Sequence, residues 1–262
     1  MLKNIKEAVL DFVQGISMPG IWLMHGWFDI KLRYRRSLLG PFWLTISIAS
    51  MVFMLGFLYS QIYNLTVSEY LPFLGIGLII WFYIAALVNE SCFTFINSAE
   101  QIKQLALPIS VYALRLVWRN IIIFLHNFIV IVLLLVYFGS VSWNILLVPF
   151  IFVGISLFFC VFAVLLGLIS ARYRDVPQIV ATVTQILIFA TPIFWKKEFL
   201  TDHEWVTLIN PAYHLLELMR APLLGQAFPF QSLYISLGLF AVMFVVTIVL
   251  MAKNKTRLIY WV

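Results

Sequence analysis

Long apolar runs alternate with short polar breaks along this chain, and the runs have the length of a bilayer crossing. A transmembrane helix needs about 20 consecutive, mostly apolar residues. Such runs lie near residues 41–63, 71–95, 115–138, 144–170, 177–195 and 231–252. The pattern predicts an all-α membrane protein with six transmembrane helices. The second and fourth runs are long enough to tilt or to extend beyond the bilayer. Residues 41–262 read as one transmembrane domain, with no internal repeat and no second domain.

Residues 1–40 follow a different pattern. From 2 to 14, Leu2, Ile5, Val9, Phe12 and Val13 share one helical face, while Lys3, Lys6, Glu7, Asp11 and Gln14 lie elsewhere. With no continuous apolar core and no small-residue cleavage site, this stretch does not read as a secretory signal. From 21 to 36, Leu23, Trp27, Ile30 and Tyr34 stack on one face, opposite His25, Asp29, Arg33 and Arg36. That is the pattern of an amphipathic helix lying in the membrane surface. Ser17 to Gly20 separates the two helical segments, and Ser37 to Pro41 turns the chain into the first span.

Charge orients the array. With the N-terminus in the cytoplasm, Lys3, Lys6, Lys31, Arg33, Arg35, Arg36, Lys103, Arg115, Arg119, Arg172, Arg174, Lys253, Lys255 and Arg257 fall inside, and only Lys196, Lys197 and Arg220 outside. Lys and Arg favour the cytoplasmic side, and six crossings return the C-terminus to it as well. Composition agrees: 63% of the 262 residues are hydrophobic and 11% charged, against about 25% charged in a soluble domain. The net charge of +6 follows from basic residues beside the spans and needs no nucleic acid. Cys92 and Cys160 sit inside apolar runs and read as buried thiols.

The stretch 196–230 is too polar for a span, yet it holds an apolar segment. Pro192 disturbs the end of the fifth span. Asn210 is a good N-cap and Pro211 suits the first helical position. Pro222 stops the helix, and Gly225 follows. Such a helix either dips back into the outer leaflet under a protein cover or rests on the surface, and the pattern leaves both open.

Motifs exclude much enzymology. His25, His126, His203 and His214 lie on separate segments, with no metal-spaced cluster and no nucleophile motif. No catalytic residue and no metal ligand is assigned. The chain has no phosphate-binding P-loop, so ATP-driven work requires a separate ATPase. Asn64-Leu-Thr66 matches a glycosylation acceptor by chance. Ionisable groups at membrane depth are expensive and often functional. Glu90, with Asn89, lies toward the inner end of the second span, and Arg115, Arg119 and Asn120 toward the inner end of the third. A Glu90 pair with Arg115 or Arg119 offsets their desolvation, whether as structural glue or as a functional site. Gln178, Thr182 and Gln185 share a face of the fifth span, and Ser156, Cys160, Ala163 and Gly167 form a small-residue ridge on the fourth. Aromatics make up 17% of the chain. Tyr59, Tyr63, Tyr70, Trp143, Trp195, Trp205, Tyr234 and Trp261 suit interfacial belts. Among those inside spans, Phe53, Phe57, Trp81 and Tyr83 are candidates for an aromatic wall on which sugar rings pack.

Four stretches, in order, resemble the membrane subunit of type-2 ABC exporters, in particular the polysaccharide-export branch that moves O-antigen, capsule or teichoic-acid chains. They are Asp29 to Gly40 followed by Phe42-Trp43; Asn97 to Ser110 with Leu107-Pro108; Ala171-Arg-Tyr-Arg-Asp-Val176; and Thr191 to Trp195 with Asn210-Pro211 and Arg220. One departure is Thr45 to Ala49, where many members have a proline. The resemblance implies a homodimer forming a channel in the bacterial inner membrane, with short outer re-entrant helices between spans five and six. It implies two ATP-binding subunits that carry the ATP and Mg, leaving no cofactor on this chain, and an undecaprenyl-type lipid-linked polysaccharide as cargo. It places substrate pyrophosphate at an intake gate of Arg33, Tyr34, Arg35, Arg36, Ser37 and Gly40. Simple anchoring of these residues to anionic lipid, at about 1 kcal/mol per residue, remains the competing role. ATPase coupling falls to Glu100, Lys103 and Pro108, and an outer gate to Asn210, Pro211, Glu217 and Arg220. The rival classes are an exporter of a drug or another lipid, and a membrane-embedded enzyme of cell-envelope synthesis, which would need a convergent catalytic set.

Overall fold

In lipid every backbone N–H and C=O must be paired, within a helix or around a closed barrel, and continuous apolar runs of about 20 residues, without barrel alternation, become helices. The computed structural model describes residues 2–37, 39–40, 42–138, 142–199 and 205–262. Pro41, His203 and part of the 139–143 loop, which figure in the sequence reading, lie outside the described residues. In chain order the helices are α1 (Leu2–Ile16), α2 (Pro19–Arg33), α3 (Phe42–Ile62), α4 (Val67–Ser91), α5 (Ala99–Gln104), α6 (Ser110–Phe138), α7 (Val148–Arg172), α8 (Val176–Ala190), α9 (Trp205–Leu208), α10 (Pro211–Leu223), α11 (Phe230–Asn254) and α12 (Leu258–Trp261). No strand occurs among the described residues.

Among the described residues, five helices are long and apolar enough to cross a membrane: α3, α4, α6, α7 with its preceding 3-10 turn, and α11 running on through α12. The fifth expected span behaves differently. α8 has 15 residues, about 22 Å at 1.5 Å per residue, short of a hydrocarbon core of about 30 Å. Its helix ends at Ala190, ahead of Pro192, as the proline predicts. The second span begins at Val67 rather than 71, because a charged Glu69 interrupts the apolar run without interrupting the helix, whose first turn favours an acidic residue; Glu69 also pairs with Lys196 (Nζ–Oε1 2.5 Å).

α4 is the hub. It packs against α3, α6, α7, α8 and α10, and 72% of its apolar window is buried, against 17% for α3. The small-residue ridge of α7 does pack closely: a Cβ on Gly167 would stand 2.8 and 2.9 Å from ring atoms of Phe95. α10 is buried from Ala212 to Leu223, among α4, α7 and α11. The described residues therefore enclose α10 in protein.

A second core, around Ala8, Phe95, Ala163, Leu168, Met251 and Leu258, draws both termini together. Here α1 turns Ala8, Asp11 and Gly15 inward and leaves Val9, Val13 and Ile16 exposed. Asp11 is fully buried. Its Oδ2 and Oδ1 accept the Ile109 N–H (3.0 Å) and the Ser110 N–H (2.9 Å), and Lys255 Nζ reaches Oδ2 at 2.7 Å. One carboxylate from α1 thus caps the first turn of α6, satisfying donors that a helix start always leaves open. The C-terminal tail is tied in by Arg172, whose guanidinium lies over the Tyr173 and Trp261 rings at 5.2 and 5.5 Å. Arg174 Nη2 donates to the Trp261 carbonyl at 2.7 Å.

Candidate functional site

α2 lies along the first half of α6, and a glycine permits it. A Cβ on Gly26 would meet Trp118 Cδ1 at 2.8 Å and the Arg115 carbonyl at 3.1 Å. The approach brings two i, i+4 pairs face to face: Asp29 and Arg33 on α2, Arg115 and Arg119 on α6. Arg115 donates from Nη2 and Nε to the two Asp29 oxygens at 2.6 and 2.8 Å, a bidentate fork. Its Nη1 donates to Gln101 Oε1 of α5 at 2.8 Å. Arg119 bridges Asp29 (3.2 Å) and Glu90 (2.6 Å). Glu90 also accepts from Asn120 Nδ2 at 2.7 Å and from Arg33 Nη2 at 3.2 Å. One continuous network therefore joins α5, α6, α2 and α4.

The expected Glu90–Arg119 pair is present. Arg115 instead goes to Asp29, a residue that sequence reasoning placed on the polar face of α2 without a partner. Burial pushes the Asp29 carboxyl up, but hydrogen bonds and charge from Arg115, together with Arg119, more than offset it and hold it below the usual carboxylate range. A depressed folded value means that ionised Asp29 contributes stability above the ordinary carboxylate pKa and loses it as pH falls through the folded one. The unfolding midpoint of the wild type is expected to fall more than that of Asp29→Asn between about pH 5 and about pH 3. Parallel curves in thermal unfolding would contradict this assignment.

Two cavities flank the network and share Arg33 and Glu90. One, of about 350 Å³, opens between α3, α4 and α6 and is mostly apolar beyond its polar end, with Leu44, Ile48, Met51, Phe82 and Phe124. The other, of about 160 Å³, is polar and reaches Asn97 and Ser98. Beyond Arg33, which is 42% exposed along its side chain, Arg35 and Arg36 are exposed. Arg36 takes a left-handed φ of 70° in a turn closed by Ser37 N–H to the Tyr34 carbonyl at 3.0 Å. Ser37 Oγ accepts the Gly40 N–H at 3.1 Å. Glu100 and Lys103 stand exposed on α5, and Pro108 is buried beside the Asp11 cap.

At the opposite end, Asn210 caps α10 as expected, its Oδ1 accepting the Ala212 and Tyr213 N–H groups at 3.0 and 3.3 Å ahead of Pro211. Arg220 donates from Nε (3.0 Å) and Nη2 (2.6 Å) to Glu217 Oε2. It donates from Nη1 to the Pro192 carbonyl, freed where α8 ends (2.5 Å), and lies 4.5 Å from the Phe73 ring centroid. The four candidate wall aromatics do not share a surface. Phe53 and Phe57 are 66% and 54% exposed on α3, whereas Trp81 and Tyr83 are buried at 3% and 4% within the ring of helices around α4. Tyr83 pairs with Ser156 Oγ at 3.0 Å. Tyr59, Tyr63, Tyr70 and Phe194 instead cluster at the α10 end, with ring centroids 5.7 to 6.5 Å apart. Among the described residues no three His, Cys, Asp or Glu side chains converge as a metal site.

A helical bundle with several membrane-crossing helices and an Arg-rich network at one end defines a multi-pass membrane protein. Residues 22–224 match the ABC-2 type transporter family, and the chain belongs to it, as a transport subunit. Two relatives from Klebsiella pneumoniae carry the name "O-antigen export system permease protein RfbA". One is 25% identical over 233 residues and the other 26% over 234, each alignment covering 87% of this chain and 89% of the relative.

Proposed function

We propose that this chain is the channel-forming permease of an ATP-driven exporter of lipid-linked polysaccharide in a bacterial inner membrane. The observation that carries the reading is alignment over almost the full length with two O-antigen export permeases. In this reading the short α8 and the non-helical 191–194 segment beyond it together make the sixth crossing, which leaves both termini in the cytoplasm. α8 starts next to the Arg172–Trp261 contact, and past its end Tyr70 Oη donates to the Phe194 carbonyl (2.5 Å) near the α4 N-terminus. The basic residues gather at the other end, the one held on the cytoplasmic side. α9 and α10 then form the outer re-entrant pair, and residues 1–40 the interfacial segment.

A homodimer is supported by two exposed faces. α3 buries little of itself, and α8 exposes Gln178, Thr182 and Gln185, which are costly against lipid and suit an aqueous path between two copies. Two ATP-binding subunits sit below, carrying ATP and Mg. Their stroke meets Glu100 and Lys103 on α5 and passes through Pro108 and the Gln101–Arg115 bond into the network. Arg33, Tyr34, Arg35 and Arg36, with Ser37 and Gly40 shaping the turn, receive the pyrophosphate of an undecaprenyl-type carrier. The apolar cavity beside Arg33 suits the lipid tail. Glu217 and Arg220, behind the Asn210-Pro211 cap, brace the outer gate.

The test is ATP-dependent movement of lipid-linked polysaccharide into inverted membrane vesicles. The double variant Arg33→Gln/Arg36→Gln is expected to lower it at least ten-fold while the folded dimer persists by size. Unchanged movement sinks the intake assignment, and a wild type that moves only sugar-free lipid sinks the cargo.

A further inference from the structure

An apolar trough lies outside every role assigned so far. It opens between α7, α10 and α11 and measures about 450 Å³, an ordinary size for a ligand pocket. Its floor is buried, at Ile155, Leu215 and Leu218, and its rim is exposed, at Phe150, Leu157 and Leu237. Along α7 it runs from Leu147 to Phe158, about 16 Å at 1.5 Å per residue. That is half of a hydrocarbon core of about 30 Å, so the trough is one leaflet deep.

Shape and charge select its occupant. A helix about 10 Å across and equally long would fill about 1200 Å³, well over what the trough holds, whereas one alkyl chain needs a fraction of that. No residue of α3 or α8, the two faces given to a second copy, lines it. At the α10 end, across the start of α11, a polar cleft of about 530 Å³ follows, and Phe228 lines both. Lys197 and Glu198 line this cleft and are exposed. Lys196 and Glu217 beside them are already paired, with Glu69 and Arg220. Among the described residues Lys197 and Glu198 have no ion-pair partner. The head of an apolar trough thus carries one free cation and one free carboxylate.

We propose that trough and cleft together hold one phosphatidylethanolamine molecule, with an acyl chain between α7 and α11, the phosphate at Lys197 and the ammonium at Glu198. A primary ammonium brings three N–H donors to the carboxylate and to the Gln226 and Gln231 amides. A choline headgroup brings no N–H, and a glycerol headgroup brings no cation. The bound chain wedges α10 against α7 and α11 and so steadies the helix that carries Glu217 and Arg220. Neither the Arg33 turn nor the cargo enters the argument. Only the assignment to the outer leaflet rests on the orientation proposed above.

The experiment places the purified full-length chain in vesicles of equal parts phosphatidylethanolamine, phosphatidylglycerol and phosphatidylcholine, extracts it gently in detergent and counts the retained lipids by mass. About one phosphatidylethanolamine per chain is expected, enriched about five-fold over each of the others, the scale that one or two exposed ion pairs can give. Gly154→Trp blocks the trough. A Cβ on Gly154, which lines it, would meet nothing within 4 Å, so the ring enters open space and unfolding in lipid-free detergent should match wild type. This variant should lose most of the retained phosphatidylethanolamine. Lys197→Gln/Glu198→Gln, confined to the surface, should still retain a lipid but without a headgroup preference. A wild type with no enriched phosphatidylethanolamine overturns the inference, as does a preference that survives the double variant. Undiminished retention in Gly154→Trp also overturns it, by placing the lipid elsewhere, such as the cavity beside Arg33. Loss of the dimer in that variant does so too, by giving the trough to a second copy. Because nothing is transported in this assay, a null result accompanied by normal export rejects the site and leaves the proposed function standing.

Discussion

Glu217→Ala is expected to destabilise the protein by about 3–5 kcal/mol, the usual penalty for breaking a buried pair from one side. Glu217 and Arg220 are 7% and 3% exposed, so the variant strands a guanidinium whose remaining partners among the described residues are the Pro192 carbonyl and the Phe73 ring. The double variant Glu217→Leu/Arg220→Met removes both charges and fills similar volume. It should lie within about 2 kcal/mol of wild type, with the freed Pro192 carbonyl as its chief remaining loss. Thermal unfolding of the three proteins in one detergent makes the comparison. If the double variant is as unstable as the single, the damage comes from lost packing around α10 and the charge argument fails.

Asp11→Ala should be nearly as severe, at about 3 kcal/mol, because its carboxylate holds the N–H groups just after Pro108. The substitution opens two buried N–H donors, of Ile109 and Ser110, each at about 1–3 kcal/mol, and releases Lys255. Asp11→Asn keeps an acceptor and is expected to lose about 1 kcal/mol. Lys255→Met removes the ion pair alone. Lys255 is 38% exposed along its side chain, so its loss should stay below about 1 kcal/mol. The order Ala, Asn, Met in falling severity identifies the helix cap, rather than the ion pair, as what holds α1 to α6. Equal losses in Asp11→Ala and Lys255→Met would reverse that conclusion.

The sequence revealed what local pattern controls. Apolar runs located the long helices because lipid leaves the backbone no alternative. Asn210-Pro211 announced the start of α10 because capping acts within three residues. Glu90–Arg119 was accessible because both were costly charges at the same depth. Asp29–Arg115 and the Asp11 cap were not, since their partners lie 86 and 98 or 99 residues away. In each case an acidic residue on an amphipathic helix looked solvated. The signal missed was a matched i, i+4 spacing, Asp29/Arg33 against Arg115/Arg119. Which aromatics face outward was hidden for a related reason. Phe53 and Trp81 are equally apolar in sequence, and only the ring of helices around α4 separates an exposed side chain from a buried one. α8 was read five residues too long because Thr191 to Trp195 remains apolar after the helix has ended.

The central claim is that this chain works as the membrane half of an ATP-driven exporter. Its most direct test is gentle purification of the tagged chain, followed by identification by mass of what remains bound. The account predicts a stoichiometric partner bearing a P-loop, two copies for every two of this chain. A stable dimer of this chain that retains no ATPase would contradict it.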